Sequence, residues 1–381
     1  MTSARSDYNQ LANKIKQWGT ELGFQKVGIT DIDLSEQEPR FLEWLENGYH
    51  GDMEFMSRHG LKRCRPDELL PGTLSVVSVR MDYLPENAAF ADTLDDPNTA
   101  YISRYALGRD YHKVLRNQLK KLGKLVADEI DDADMQFRPF VDSAPVLERP
   151  LAEKAGLGWV GKHSLVLDEE AGSWFFLGEL FLPIELPNDQ PVKEQCGSCV
   201  ACITICPTQA IVAPYVVDSK KCISYLTIEL KKAIPEHFRK AMGNRIYGCD
   251  DCQLICPWNR QAQISKQPDF FPRDDLNNPD LLKLWQWQES YFLKVTEGSP
   301  IRRIGFECWM RNIAVALGNA PFSITIINEL EDKLGEISDL VDEHIVWALE
   351  QQKEKAETAG IENRKLKRLI KAVRIGLPRD A

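Results

Sequence analysis

Two cysteine-rich runs carry the clearest chemistry in this sequence. The first run, CGSCVACITICP at residues 196–207, separates its four cysteines by two, two and three residues and ends in Cys-Pro. A partial copy, CDDCQLICP, follows at residues 249–257. Thiolates at this spacing are typical ligands of [4Fe–4S] clusters, because gaps of two residues let three successive cysteines surround one cube. The runs therefore predict a segment that carries single electrons.

The spacing also predicts how the ligands are shared. In two-cluster ferredoxins the last cysteine of each run binds the cluster of the other run. The second run has Ile246 where a further cysteine is expected, and Cys222 is the available replacement. The first predicted set is Cys196, Cys199, Cys202 and Cys256, and the second is Cys206, Cys222, Cys249 and Cys252. The remaining Cys64 and Cys308 are predicted to be packing residues.

Zinc is the alternative metal for clustered cysteines, but four-cysteine zinc sites usually divide their ligand pairs by longer loops. The 381-residue chain has a net charge of −10, which disfavours a protein that coats nucleic acid indiscriminately. No apolar run approaches the length that spans a bilayer, and the N-terminal residues lack the apolar core of a signal peptide. We therefore expect no membrane association and a cytoplasmic location, where clustered cysteines bind metal more often than they form disulfides.

The segments around the cysteine runs indicate how the runs are held. Residues 8–23 and 108–130 show helical spacing of apolar residues, and five segments are strand-like. The strand-like segments are 26–30, 74–83, 137–142, 163–168 and 173–186. The composition changes at residues 187–195, and the chain after about residue 275 is helical in pattern, with two helix pairs that suggest a repeat. We predict an α+β protein with an N-terminal α/β domain at 1–187, a ferredoxin-like module at 188–262 and an all-α domain at 275–381.

No Gly-rich dinucleotide motif and no P-loop are present, so neither a dinucleotide nor ATP is indicated. Six segments, spread over essentially the whole chain, instead resemble the epoxyqueuosine reductase family. They are YISRYALGRDYH (101–112), VDSAPVLERPLAEKAGLGWVGKHSLVL (141–167), CGSCVACITICPTQAI (196–211), KKCISYLTIEL (220–230), GNRIYGCDDCQLICPWN (243–259) and IRRIGFECWMRNIAVALGNAP (301–321). The resemblance implies a cobalamin-binding N-terminal domain and a HEAT-like C-terminal domain that docks tRNA.

The resemblance also implies a reaction. Members of the family reduce epoxyqueuosine to queuosine at the wobble position of tRNAs with GUN anticodons. Electrons pass through two [4Fe–4S] clusters to cobalamin, and the epoxide oxygen leaves as water. The two other functions that fit the cysteine runs are a reductive dehalogenase-like cobalamin enzyme and a ferredoxin-type electron carrier. We expect a monomer that takes electrons from a low-potential donor.

Individual residues acquire roles through the same resemblance. Asp142 matches the proton donor of the family, whereas without the resemblance it is better explained as a cap of the next helix. An ordinary aspartate is ionised at neutral pH, so Asp142 must be desolvated or reprotonated through a relay. The positions that match the cobalamin pocket are Arg63, Ser103, Asp142, Lys162, His163, Val166 and Ser224. The segments DYH (110–112) and DEH (342–344) begin the D-x-H-x-x-G motif without its glycine, so we expect no histidine ligand below the cobalt.

Binding of tRNA requires cationic side chains aimed at phosphates and aromatic rings that stack on an exposed base. The predicted phosphate contacts are Arg302, Arg303, Arg311 and the basic run at 364–379. The candidate stacking residues are Tyr105, Tyr111, Trp159 and Tyr247. For each of these residues, an ordinary place in the core or on the surface is the alternative.

Overall fold

The computed structural model describes residues 2–357 and 364–376. Arg379, the last residue of the predicted basic run, lies outside the described residues. The strands are β1 Lys26–Thr30, β2 Ser75–Asp82, β3 Tyr101–Ile102, β4 Arg138–Phe140, β5 Trp159–Val160, β6 Val166–Leu167, β7 Phe175–Leu182, β8 Ile211–Ala213, β9 Val216–Val217 and β10 Arg245–Tyr247. The α-helices are α1 Thr2–Glu21, α2 Glu38–Glu46, α3 Glu54–Ser57, α4 Pro66–Leu69, α5 Phe90–Asp95, α6 Tyr111–Glu129, α7 Glu148–Lys154, α8 Ala201–Ile205, α9 Glu236–Met242, α10 Asp251–Leu254, α11 Leu281–Trp285, α12 Glu289–Val295, α13 Gly305–Asn319, α14 Ile324–Asp332, α15 Asp339–Glu357 and α16 Arg364–Gly376.

The N-terminal part is built around a four-stranded sheet in the order β1-β2-β7-β4, with every neighbouring pair antiparallel. Alternate residues of β2 face opposite sides of the sheet. Val77 packs in the apolar core that includes Leu119 of α6, whereas Val76 packs with Leu151 of α7. The sheet therefore has helices on both faces, and this arrangement brings the N-terminal ends of α6 and α7 near the loop that follows β4.

The structure confirms the predicted mixture of helices and strands, and the main differences are at the ends of elements. The strand at 26–30 is found with the predicted bounds. The predicted helix at 108–130 is observed as Tyr111–Glu129, which begins after the N-cap Asp110. The predicted strand at 163–168 is reduced to Val166–Leu167, because Ser164 adopts a positive φ of 67° that an extended strand does not allow.

A short parallel pairing joins the N-terminal part to the cysteine-rich segment. β3 pairs with β10, which ends two residues before Cys249. Gly248 follows β10 with a φ of 69°, and a Cβ atom there would lie 2.5 Å from Cβ of Ser103. The close approach requires glycine at this position. The contact fixes the chain around Ser103 against the second cysteine run.

The C-terminal helices share an apolar core with the cysteine-rich segment. This core includes Trp309 of α13 and Ile345 of α15, together with Leu226 and Ile246. Helix α16 returns to the N-terminal part, where its Ile370 packs in the same core as Leu94 of α5. Within the described residues, no helix has the length and apolar character needed to cross a membrane.

Candidate active site and cysteine clusters

The two cysteine runs meet through two short helices. Helix α8 carries Cys202 and helix α10 carries Cys252, and the two helices pack against each other. All ten cysteines are free of disulfide bonds. The structure therefore gathers reduced thiols from distant parts of the sequence into one region.

One group of thiols surrounds Cys256, which closes the second run. Burial, followed by the nearby Cys196, Cys202 and Cys199, raises the pKa of Cys256 to about 12. Neighbouring thiols raise the pKa because each thiolate disfavours a second negative charge close by. The last cysteine of the second run thus lies with the first three cysteines of the first run.

A second group surrounds Cys252. Burial raises the pKa of this thiol, and Cys222 and Cys206 raise it further. Cys249 has Cys252 among the groups that raise its own pKa, after burial and Asp251. The structure therefore brings Cys222, which comes from neither run, to the thiols of the second predicted set.

The surroundings of the thiols fit thiolates that hold a polynuclear cluster. The backbone N–H of Ala210 donates to Sγ of Cys206 at 3.2 Å. The indole N–H of Trp159 is buried without a hydrogen bond of normal geometry. It lies close enough to Cys196 to lower the pKa of that thiol, although burial has a larger effect and raises the pKa overall. Among residues 2–357 and 364–376, no three His, Cys, Asp or Glu side chains are arranged to hold a single metal ion. N–H donors aimed at sulfur are the usual outer partners of such clusters.

Cys64 and Cys308 lie apart from these groups. Their residues are 2% and 3% exposed, and they pack in two different apolar cores. Burial raises the pKa of Cys64 to about 11. A neutral thiol in an apolar core behaves as a small apolar side chain.

Asp142 lies between the starts of α6 and α7, in a partly exposed region formed with Tyr111, His112 and Glu148 and called the recess below. Its side chain is 53% exposed, and its φ of 50° is an uncommon conformation for a residue with a Cβ atom. Tyr111 donates its hydroxyl hydrogen to Oδ2 of Asp142 at 2.9 Å, and Nε2 of His112 lies 3.2 Å from the same oxygen. The backbone N–H of Asp142 donates to Oε1 of Glu148 at 2.6 Å. Three neighbours thus fix both the backbone and the carboxyl of Asp142.

His112 lies between two carboxyl groups. Its Nδ1 is 2.7 Å from Oδ1 of Asp110, and its Nε2 faces Asp142. Burial lowers the pKa of His112, but the hydrogen bonds and charges of Asp110 and Asp142 outweigh it and raise the pKa to about 9. The packed surroundings raise the pKa of Asp142, yet the hydrogen bond and charge of His112 exceed this effect and the pKa is lowered overall. At neutral pH the proton of the pair therefore resides on His112.

An aromatic cluster backs this recess. The ring of Tyr111 stacks on Phe176 of β7, with centroids 4.0 Å apart and planes 3° apart, and it also stacks on His112 at 4.2 Å. The hydroxyls of Tyr105 and Tyr247 lie 3.4 Å apart beside it. The stacking fixes the directions of the Tyr111 hydroxyl and the His112 ring, and it leaves the Tyr111 ring faces occupied by protein.

Two of the predicted stacking residues are wrong for that role in this structure. Trp159 and Tyr247 are both 0% exposed. Trp159 packs edge-on against Trp258, and Tyr247 donates its hydroxyl to the carbonyl of Pro300 at 3.1 Å. A base cannot stack on rings that are enclosed by protein.

The predicted pocket residues do not all lie at one site: Arg63 lies next to the Asp142 loop, whereas Lys162 lies against the first cysteine run. Arg63 donates to the carbonyls of Phe55 and Ala144, at 2.8 and 3.3 Å, next to the Asp142 loop. His163 is 4% exposed, and burial, followed by the charge of Arg149, lowers its pKa to about 4. Lys162 instead donates to the carbonyl of Cys199 at 3.0 Å, so its ammonium group lies against the first cysteine run.

The other predicted pocket residues are more dispersed. Ser103 donates its hydroxyl hydrogen to Oδ1 of Asp250 at 2.5 Å, beside Cys249. Ser224 lies next to Cys222, where its N–H and hydroxyl lower the pKa of that thiol against the larger effect of burial. Val166 is 3% exposed in β6. Ser224 therefore lies at the second thiol group, and the Ser103 hydroxyl is bonded to Asp250, which is next to Cys249 in the chain.

Arg311 was predicted as a phosphate contact, and that prediction is wrong. The residue is 0% exposed, and its guanidinium donates to the backbone carbonyls of Leu226, Leu230 and Lys232 at 2.7–2.9 Å. The whole Arg311 side chain is buried with the apolar residues of α13. The sequence indicated a cationic residue on a helix but not its burial. Arg302 is exposed, and Arg303 is half exposed in an ion pair with Glu229.

Residues around Asp142 that the sequence reasoning did not assign are His112, Glu148 and Glu179. His112 was considered only as part of an incomplete cobalt-ligand motif. The sequence gives a partial signal for it, because a histidine two residues after an N-cap aspartate lies in the first turn of a helix, within reach of that aspartate. Nothing in the spacing indicates that Asp142, thirty residues later, faces it.

Comparison with known proteins places the chain in a family. Residues 63–143 match the family model described as epoxyqueuosine reductase QueG, DUF1730, and residues 195–259 match a 4Fe-4S double cluster binding domain. The second match covers all eight predicted ligand cysteines, which lie between Cys196 and Cys256. A segment of this chain thus belongs to a class that binds two iron–sulfur clusters.

Curated relatives match along nearly the whole chain. The epoxyqueuosine reductase of Escherichia coli K12 is 64% identical over 377 residues, which cover 98% of this chain and 99% of the relative. The Vibrio cholerae epoxyqueuosine reductase is 62% identical and covers 98% and 100%. A crystal structure of a selenomethionine-labelled epoxyqueuosine reductase superposes with a TM-score of 0.81 at 25% identity, and the match covers 97% of this chain and 99% of that one. A second epoxyqueuosine reductase structure, with an epoxyqueuosine-modified tRNA stem loop, superposes with a TM-score of 0.79 at 26% identity, and the match covers 96% of this chain and 100% of that one. The chain belongs to the epoxyqueuosine reductase family of oxidoreductases.

Proposed function

We propose that this chain reduces epoxyqueuosine to queuosine in the wobble position of tRNAs with GUN anticodons. The observation that carries the proposal is the Asp142 carboxyl, held by Tyr111 and His112 in an open recess, in a chain 64% identical to an epoxyqueuosine reductase. Removal of the epoxide oxygen as water consumes two electrons and two protons. The chain must therefore provide an electron path and a proton source at one place.

The two thiol groups are the proposed electron path. Cys196, Cys199, Cys202 and Cys256 would hold one [4Fe–4S] cluster, and Cys206, Cys222, Cys249 and Cys252 the other. Both groups lie in the 188–262 module, between the proposed cobalamin-binding domain at 1–187 and the HEAT-like domain at 275–381. The contacts of Lys162 and Ser224 with these groups support roles as partners that hold the cluster ligands in place.

Cobalamin is the proposed second cofactor, and the residues around the recess fit its polar edge. Nε of Arg63 and Nε2 of His163 are buried without hydrogen-bond partners among the described residues. Amide and phosphate groups of a cofactor would satisfy both nitrogens. When bound, cobalamin supplies a reducible, nucleophilic cobalt centre. Ser103 points to Asp250 and not to this recess, so its proposed place in the pocket rests on its backbone position.

Asp142 is the proposed proton donor, and His112 explains how a carboxyl of low pKa can act as an acid. The His112 imidazolium keeps a proton 3.2 Å from the carboxylate at neutral pH. As negative charge develops on the epoxide oxygen, the Asp142 carboxylate takes the proton from Nε2 of His112 and passes it to that oxygen. Tyr111 fixes the orientation of the carboxyl during this transfer.

The proposed partner is tRNA. A solved relative with TM-score 0.79 is described with a tRNA stem loop that carries epoxyqueuosine. On this chain, Arg302 and the basic face of α16 are exposed cationic features that suit phosphate contacts. The chain is proposed to act as a cytoplasmic monomer that receives electrons from a low-potential donor.

Anaerobic turnover of epoxyqueuosine-containing tRNA, with cobalamin and a strong reductant, tests the proposal by nucleoside mass spectrometry. The protein should convert epoxyqueuosine to queuosine. The Asp142→Asn variant should keep its iron–sulfur absorbance and lose about 10²–10⁴-fold in rate, the usual contribution of a general acid. Asp132→Asn is the matched control, because Asp132 is an exposed loop aspartate that accepts a backbone N–H from Asp134 at 3.1 Å. Full activity in Asp142→Asn would refute the proton-donor role.

A further inference from the structure

A fully buried carboxyl group lies in the middle of the central sheet. Glu179 of β7 is 0% exposed and is paired in register with Ser78 of β2 and Phe140 of β4. Its Oε1 accepts a hydrogen bond from the Ser78 hydroxyl at 3.0 Å. Its Oε2 has no hydrogen bond of normal geometry among the described residues. A buried carboxyl with an oxygen that lacks a well-formed hydrogen bond costs stability.

Glu148 connects this group to the recess. It lies in the first turn of α7, where Oε1 accepts the backbone N–H of Asp142 at 2.6 Å. Its carboxyl is also a hydrogen-bonding neighbour of the Glu179 carboxyl. Burial, followed by Glu148, raises the pKa of Glu179 well above the usual range. Burial, followed by the charge of Asp142, raises the pKa of Glu148 to about 7. Two adjacent carboxyls cannot both ionise easily, so the pair retains at least one proton at neutral pH.

The cationic groups around the pair lie near Glu148. From α6, His112 lowers the pKa of Glu148. From α7 and from the segment before α4, Arg149 and Arg63 each interact favourably with Glu148. These cations lie on the recess side, at Glu148, whereas Ser78 is the polar neighbour of Glu179 within the sheet. The arrangement favours a proton on the inner Glu179 and negative charge on the outer Glu148.

We propose that Glu148 and Glu179 form a proton store that recharges Asp142 for the second protonation of the departing oxygen. The inference rests on the proposed function. The oxygen leaves as water after accepting two protons and two electrons, and His112 supplies one of these protons through Asp142. The second passes from the Glu179 carboxyl to the Glu148 carboxylate, and Glu148 then passes a proton to the Asp142 carboxylate. Each of these transfers moves one proton and no electrons.

Glu179→Gln separates this role from a structural one. Glutamine has nearly the same shape, can accept the Ser78 hydroxyl and resembles the protonated acid, so the variant should fold. It cannot release a proton. The single-turnover rate of queuosine formation should fall about tenfold at about pH 8, and by less at about pH 6, where external protons are more abundant. A glutamate that serves only packing would leave the pH–rate profile unchanged.

Glu153→Gln is the matched control. Glu153 lies in the same helix α7 and also accepts a backbone N–H, from Val160 at 2.7 Å, but it belongs to no buried pair. Its variant should keep the profile of the unaltered protein. Identical profiles for Glu179→Gln and Glu153→Gln would overturn the proposal.

Infrared difference spectra give a readout that does not depend on turnover. The C=O stretch of a protonated carboxylic acid should be present at about pH 8 in the unaltered protein and absent in Glu179→Gln. In Glu148→Gln it should persist at a shifted frequency, because burial keeps Glu179 protonated while its neighbour changes. Absence of this band in the unaltered protein also overturns the proposal. If the band is present but no queuosine forms, the proposed function fails while the proton-sharing pair stands.

Discussion

Replacing Asp110 with asparagine should lower the pKa of His112 without disturbing helix α6. Asp110 is the N-cap of α6, where its Oδ1 accepts the backbone N–H of His112 at 3.0 Å as well as facing Nδ1. Asparagine caps helices as well as aspartate does. The substitution therefore removes one negative charge and keeps the local structure.

The magnitude follows from the pKa of His112. Its rise from 6.5 to about 9 corresponds to about 3 kcal/mol, at roughly 1.4 kcal/mol per pH unit. Asp110 and Asp142 both contribute to this rise, so loss of Asp110 should cost about half of it and lower the pKa by about one unit. Because the folded protein holds this proton more tightly than the unfolded chain, the stabilisation is complete below about pH 6.5 and is lost as the pH rises through about 9. In Asp110→Asn the loss should occur about one unit lower.

An NMR pH titration of protein with isotope-labelled histidines measures the pKa of His112 directly. The chain has six histidines, and His112→Gln identifies the resonance of His112 by its disappearance. Asp280→Asn is the matched control, because Asp280 caps α11 through the N–H of Lys283 at 3.0 Å with no histidine in its first turn. If His112 titrates near 6.5 in the unaltered protein, or if Asp110→Asn leaves its pKa unchanged, the account of the proton source is wrong.

Two further substitutions test other parts of the account. Cys222→Ser should roughly halve the iron and sulfide content by removing one ligand of one cluster, whereas Cys308→Ser, in an apolar core, should retain both; equal losses would refute the ligand sets. Arg311→Ala should lower the free energy of unfolding in urea by about 3 kcal/mol, because it leaves two buried carbonyls and one partly buried carbonyl without their partner. The tRNA affinity of the folded variant should be unchanged, and weaker binding at normal stability would restore Arg311 as a phosphate contact.

The cysteine runs could be interpreted from sequence because their chemistry is local. The gaps between cysteines are fixed by the size of a cluster, so spacing alone indicates the ligand type. The same holds for elements with strong periodicity, such as α6, whose buried leucines recur at helical spacing. The family resemblance added the reaction and the expected role of Asp142.

The recess could not be predicted in the same way because it is assembled across the sheet. Asp142 follows β4 at the edge, His112 begins a helix on one face, and Glu148 begins a helix near the other. Their contact depends on strand order, which spacing does not reveal. Arg311 failed for a related reason, since only tertiary packing decides whether a cation on an apolar helix meets water or backbone carbonyls.

Iron and acid-labile sulfide analysis of anaerobically purified protein tests the central claim most directly. Two [4Fe–4S] clusters held by the two thiol groups predict about eight iron atoms and about eight sulfides in each chain. About two zinc atoms, with neither iron nor sulfide, would contradict the electron path and the reductive chemistry that depends on it.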